Sequence, residues 1–193
     1  SGDPTGGSSD GGAVFGWYAA PVQTGEPLSL APQPASWDRA EHSSQVRLRD
    51  YLDEAERRVE IPPEGAWALR LDVGLDEGRD VLGAADLDNY ALPLAKRLAD
   101  RRLVSVWCTK GHGTSSVITA APAVGSAGPA EVHRVRVTAS GESTAYKQAV
   151  RAAVAGQDEL PDGPVALQVA FRVGRSRNWL NLWKPTIDAL DPL

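Results

Sequence analysis

A mixed α/β (α+β) fold, arranged as two related units of mixed sheet plus two helices, is predicted from three features of this sequence. Apolar residues alternate along Ala66–Leu75 and again along Val165–Val173, the pattern of half-buried strands. Each stretch lies between two helix-like segments, the second of which carries a proline at the corresponding place, Pro93 or Pro185. Each also follows the same kind of turn, Pro63-Glu64-Gly65 in one case and Pro161-Asp162-Gly163 in the other.

Taken in order, residues 1–12 are almost entirely Gly, Ser, Asp and other small polar types. They hold too little apolar surface to offset their own ordering entropy and are expected to be a disordered leader. Val14–Val22 reads as a first strand, and Gly25–Ser44, broken by Pro27, Pro32 and Pro34, as a long irregular connection. Gln45–Arg58 is expected to be helical. In Ala66–Leu75 the inward set is Trp67, Leu69, Leu71, Val73 and Leu75. Asp86–Leu98 opens with acids and continues with apolar residues at three- and four-residue spacing, an amphipathic helix that Pro93 kinks or delays. Leu103–Thr109 and Ser115–Thr119, joined around Gly111 and Gly113, read as a hairpin.

The order then recurs. Val132–Thr138 is strand-like, Ser143–Ala155 helical with a cap at Ser140 or Ser143, Val165–Val173 a strand and Asn178–Leu190 a short helix. Setting the two turns over each other brings Leu48-Arg49 over Tyr146-Lys147. With the following loop shortened, Asp86-Leu87-Asp88-Asn89 falls over Asn178-Trp179-Leu180-Asn181 and Leu98 over Leu190. The units run over 13–124 and 125–193, and the second, with no counterpart of Leu103–Thr119, reads as truncated at its C-terminus.

Hydrophobic residues at 42% and charged residues at 23% are the balance of a globular chain, and no apolar stretch is long enough to cross a membrane. One cysteine, Cys108, excludes an internal disulfide and suits a reducing cytoplasm, and the three histidines are scattered. A bound metal would therefore be a hard cation on oxygen ligands. The net charge of −5 argues against a uniformly nucleic-acid-binding surface. Residues 1–100, however, hold 18 acids against 9 Lys and Arg, a balance of −9, whereas residues 101–193 hold 7 against 11, a balance of +4. A phosphate-bearing partner would prefer the second half.

Asp86 and Asp88 are the carboxylates of interest. Two residues apart on a regular helix they would diverge by about 200°. They converge only if Asp86 precedes the helix, where two such groups can bind one Mg²⁺ with water completing its shell. Alone, Asp-x-Asp-Asn reads more readily as helix-start chemistry, with Asp86 the N-cap and Asp88 a first-turn acid.

Its surroundings carry more information. The chain contains, in order, Leu48-Arg49 in a helix, the strand Ala68–Leu75 and Asp86-Leu87-Asp88-Asn89. It then contains Ser143–Tyr146-Lys147, the strand Ala166–Val173, the basic loop Arg175-Ser176-Arg177, Asn181-Leu182, Lys184 and Asp188-Ala189-Leu190. This string resembles, twice and each time incompletely, the RusA family of Holliday-junction resolvases. That resemblance implies a Mg²⁺-dependent (or Mn²⁺-dependent) endonuclease of DNA recombination and repair, working as a symmetric dimer, here fused into an intrachain pseudo-dimer. It implies Asp86 and Asp88 as metal ligands, with a third carboxylate expected just after their helix, where Asp100 is nearest. Asp100 also reads as a solvated helix-end residue, and Asp72 and Asp76 are further acids within reach. The family's lysine is replaced by Leu92 in the first copy and kept as Lys184 in the second, whose Asn178 and Leu180 stand where the metal-binding aspartates belong.

The expected function is thus single-site phosphodiester hydrolysis on branched or structured DNA, with Asp86, Asp88 and Lys184 catalytic. Arg172, Arg175, Arg177, Lys184 and Lys110 are expected to grip phosphate. Trp179 and Trp183, four apart on one helix face, read more readily as core than as base-stacking residues. The alternative is a catalytically lapsed module of the same build that binds DNA or assembles with another protein.

Overall fold

The computed structural model describes residues 16–157, 163, 166–174 and 177–190. The expected leader 1–12, the start of the expected strand Val14–Val22, the turn residues Pro161 and Asp162, and Arg175 lie outside the described residues. Among the described residues the fold is mixed α+β, with two sheets and four helices. Its elements are β1 (Trp17–Tyr18), β2 (Glu26–Pro27), α1 (Ser43–Arg58), β3 (Trp67–Leu75), α2 (Leu87–Leu98), β4 (Leu103–His112), β5 (Val117–Pro122), β6 (Gly125–Ser126), α3 (Thr144–Val154) and α4 (Leu180–Ile187). None of these helices is long and apolar enough to cross a membrane.

The principal sheet has the order β2-β5-β3-β4. β3 is parallel to β4 and antiparallel to β5, and β1 pairs separately with β6. The expected hairpin between β4 and β5 is corrected by this order, because β3 lies between them. β3 is the most deeply buried of these strands, and taking a partner on each edge satisfies its backbone where no water reaches. The β4–β5 connection consequently crosses the end of β3. Gly113 N–H donates to Leu75 O (2.9 Å), and Ser116 Oγ accepts from Gly74 N–H (3.2 Å). A Cβ at position 74 would stand 2.2 Å from Ser115 O, so only glycine admits this crossing.

All five inward residues read from the alternation of β3 are buried. Against them pack Tyr51 and Ala55 of α1 and Tyr90, Ala91, Leu94 and Ala95 of α2. Pro93 lies within α2 without ending it. Lacking an N–H, it cannot engage the carbonyl of Asn89, one turn earlier. That carbonyl accepts instead from Ala35 N–H (2.7 Å), which ties the irregular segment before α1 to the first turn of α2.

α3 begins at Ser143, whose hydroxyl accepts from Tyr146 N–H (3.2 Å). A smaller core forms around Tyr146, Val150, Leu182 and Ala189, with Val137, Ala139, Phe171 and Val173 packed on it. α3, the segment 166–174 and the proline-containing α4 follow one another in the expected order. The strands expected at Val132–Thr138 and Val165–Val173 do not form: among the described residues neither segment joins a ladder, and Leu167 and Val169 are exposed. Alternation selects a face but supplies no hydrogen-bond partner. β3 has β4 and β5 beside it, whereas no described segment takes those places for residues 166–174.

α4 lies between the two cores. Leu180, with Trp179 and Trp183, packs on the larger one, while Leu182 belongs to the smaller.

Candidate metal and nucleic-acid site

Asp86 is the N-cap of α2, with φ −63° and ψ 155°, so it precedes the helix in extended backbone. Its side chain makes no capping hydrogen bond and is exposed. Asp88, in the first helical turn, is 3% exposed. The condition set by their spacing is met: Asp86 is off the helix, and the divergence required of two helical residues does not apply.

A buried carboxylate needs a counter-charge. Here it comes from α4, where Lys184 Nζ donates to Asp88 Oδ2 at 3.0 Å. The same ammonium is 3.3 Å from Asp188 Oδ1, one turn further along α4, and Asp188 Oδ2 accepts from Lys147 Nζ of α3 at 3.2 Å. Lys147, Asp188, Lys184 and Asp88 thus form an alternating series of charges joining α3, α4 and α2. Partial burial opposes the charge of Lys184, but Asp88 and Asp188 outweigh it and hold the ammonium above its ordinary pKa. Sequence reading placed Lys184 in the site but missed Asp188 and Lys147 as its supports. The i, i+4 spacing of Lys184 and Asp188 was the available signal.

Lys110, on β4, reaches the carbonyls of Ala84 (3.4 Å) and Ala85 (3.0 Å), immediately before Asp86. It ties down the loop that delivers Asp86. Asp72 is occupied as well. Arg70 grips it from Nε and Nη2 (both 2.8 Å), and Thr109 Oγ1 donates to it at 2.6 Å. Neighbouring Cys108 is pushed up to about 12, by burial first and the Asp72 charge second, which keeps its thiol protonated.

Asp100 does not join Asp86 and Asp88. It follows the opposite end of α2, and the ten or so helical residues between put it about 15 Å away. It accepts from Trp67 Nε1 (2.8 Å), Arg102 N–H (2.8 Å) and Leu103 N–H (3.1 Å), and it pairs with the Arg102 guanidinium. Desolvation opposes its charge, but these donors together hold its carboxyl below the usual range. Its role is to join the end of α2 to both neighbouring strands, and the expectation of a third metal ligand here is corrected.

Arg172 is exposed, and Arg177 Nη2 donates to Ala139 O (2.7 Å), joining the loop before α4 to the segment before α3. Trp179 and Trp183 pack on the larger core, Trp179 also stacking on Phe171 with centroids 6.5 Å apart. Among the described residues no group of three or more His, Cys, Asp or Glu side chains is gathered to hold a metal ion. Mg²⁺ characteristically takes only one or two protein carboxylates and keeps several waters; of the two candidates, Asp86 is exposed and Asp88 is enclosed against Lys184. No protein-family model, curated protein or solved structure matches the chain.

Proposed function

We propose that this chain is a Mg²⁺-dependent (or Mn²⁺-dependent) endonuclease acting on branched or structured DNA, a RusA-like pseudo-dimer with a single catalytic centre at Asp86 and Asp88. The observation that carries this reading is the contact between Lys184 and Asp88. Where the first unit has Leu92, the second keeps a lysine, and that lysine reaches the first unit's aspartate. Labour is divided accordingly, with the acids in one unit and the cation in the other.

Bound at this pair, the metal would lower the pKa of a water and stabilise charge on the attacked phosphate. Asp86 and Asp88 would supply the oxygen ligands. Lys184, held here by Asp88 and Asp188, would supply a cation for a phosphate oxygen, and Lys110 holds the loop before Asp86 in place. One centre suits a single cut, a nick, better than the paired cuts needed to resolve a four-way junction. The lone cysteine suits action in a reducing cytoplasm.

A nicking assay on linear, forked and four-way DNA, with and without Mg²⁺, tests this reading. Cleavage is expected only with the cation, and only in the wild type when it is compared with Asp88→Asn. Cleavage that survives the substitution refutes the assignment. A second reading, a lapsed nuclease that binds DNA or a protein partner, draws on the ion pair itself, which already engages the charge of Asp88. It predicts DNA binding with no cut under any divalent cation.

A further inference from the structure

Trp37 is 87% exposed, the one exposed tryptophan among the described residues, yet the backbone on either side of it is fixed. Ala35 N–H donates to Asn89 O (2.7 Å), and Gln45 Nε2 donates to Ser36 O (2.6 Å). Asp38 N–H donates back to Ser36 Oγ (3.3 Å), closing the chain around Trp37. A large ring held in water by a fixed segment forgoes the burial that it would ordinarily gain, and it is pre-organised for a flat partner.

The anchor of this segment also links it to the candidate centre. Asn89, which accepts from Ala35, donates its own N–H to Asp86 O (3.0 Å). Trp37 is two residues beyond Ala35, which places its Cα within roughly 10 Å of the first turn of α2.

Trp37 shares an open groove with Gln33, Ser36, Asp38, Ser44 and Arg47. These polar neighbours do not make the contiguous apolar patch by which a protein partner docks. Charge is balanced here: from Gln33 to Asp50 the acids Asp38, Glu41 and Asp50 are matched in number by Arg39, Arg47 and Arg49. Asp38 is engaged internally, accepting from Ser36 Oγ (2.9 Å) and Ser44 Oγ, with His42 Nδ1 at 3.3 Å. Arg47 is exposed and pairs with no acid among the described residues. A neutral groove holding one ring and one unpaired guanidinium suits a single stacked base and its phosphate, because stacking uses the face of the base and needs no surplus of positive charge.

We infer that Trp37 is a stacking platform for an unpaired base of the DNA strand whose backbone meets Asp86 and Asp88, with Arg47 on the phosphate of that nucleotide. This rests on the nuclease reading and narrows its substrate to DNA with unpaired bases beside the cut. Trp37 belongs to neither core, so its replacement leaves the fold intact.

The test is fluorescence anisotropy of labelled single-stranded, forked and fully duplex DNA in EDTA, across a series of KCl concentrations. It compares the full chain with Trp37→Ala, Trp37→Phe, Arg47→Gln and Val124→Ala, the last a 62% exposed residue beyond the opposite end of β3. Trp37→Ala is expected to bind single-stranded and forked DNA roughly tenfold more weakly and duplex DNA as the wild type does, while Trp37→Phe, which keeps an aromatic face, stays within about threefold. Arg47→Gln is expected to lower the log–log salt slope on the single strand by about 0.7, the worth of one phosphate contact. The Val124 variant is expected to match the wild type. Unchanged single-strand affinity in Trp37→Ala, an equal loss on duplex DNA, or an equal loss in Val124→Ala overturns the platform, and an unchanged slope in Arg47→Gln overturns the phosphate contact. A wild type that binds no single strand overturns both and leaves Trp37 to a protein partner. The expected binding pattern without Mg²⁺-dependent nicking sustains the platform and removes the nuclease, whereas nicking by a wild type that binds no better than Trp37→Ala does the reverse.

Discussion

Lys184 and Asp88, ninety-six positions apart, meet at 3.0 Å with the carboxylate almost fully enclosed. Each is held by its own helix, Asp88 by α2 and Lys184 by α4. The contact joins the two helices chemically as well as sterically, and the first two predictions follow from it.

Asp88→Asn keeps the shape of the residue and removes its charge. Mg²⁺-dependent nicking is expected to fall by roughly a hundredfold or more, since the cation loses an anionic ligand. Circular dichroism should be unchanged. A variant that nicks within about threefold of wild type under single-turnover conditions would contradict the assignment.

Lys184→Met separates binding from chemistry. The ammonium and a divalent cation both need Asp88, so removing the ammonium is expected to tighten Mn²⁺ binding by roughly tenfold, about 1.4 kcal/mol, while cleavage drops. Titration of Mn²⁺ by electron paramagnetic resonance checks the first effect. Equal affinity in both proteins would mean that Lys184 does not occupy the cation's place.

Glu54, on α1, accepts from Ser29 N–H (2.7 Å) and Leu30 N–H (2.9 Å) while almost fully buried. Burial opposes its charge, but the two backbone donors prevail and its carboxyl titrates below the ordinary 4.5. A carboxylate depressed in the folded state contributes stability that is complete above the unfolded value and is lost as pH falls through the lower folded one. The wild type should therefore lose stability through the acid range below 4.5, and Glu54→Gln should lose less of it there. At neutral pH the variant is expected to be less stable by about 2 kcal/mol, as charge-assisted hydrogen bonds are weakened. Parallel urea melts at pH 7 and pH 4 report both, and superimposable pH profiles would exclude Glu54 as the cause.

Gly74→Ala sets a methyl group against Ser115 O, where the β4–β5 connection crosses β3. Displacing that crossing is expected to cost about 2 kcal/mol or more. Gly111→Ala, with open space around its Cβ position, should cost clearly less. Equal melting temperatures for the two variants would show that the crossing yields freely.

Local patterns specified most elements. The alternation from Trp67 to Leu75 identified β3 and its buried face, and the spacing of Tyr90, Ala91, Leu94, Ala95 and Leu98 identified α2. That Pro93 and Pro185 each lie inside a helix was legible because each helix's periodicity lies within a dozen residues. Candidate acids were legible too, as residue types, and the position of Asp86 ahead of its helix follows from ordinary capping preference.

Only the tertiary structure decided which of these residues meet. It inserted β3 between β4 and β5, left residues 166–174 without a ladder among the described residues, and sent Asp100 to Trp67 and Arg102 at the far end of α2. It also gave Asp88 a lysine from the other half of the chain. The physical reason is the same in each case. Side-chain periodicity states which face of an element avoids water, whereas strand neighbours and ion pairs depend on contacts between distant segments, and no local pattern of apolar and polar residues encodes those.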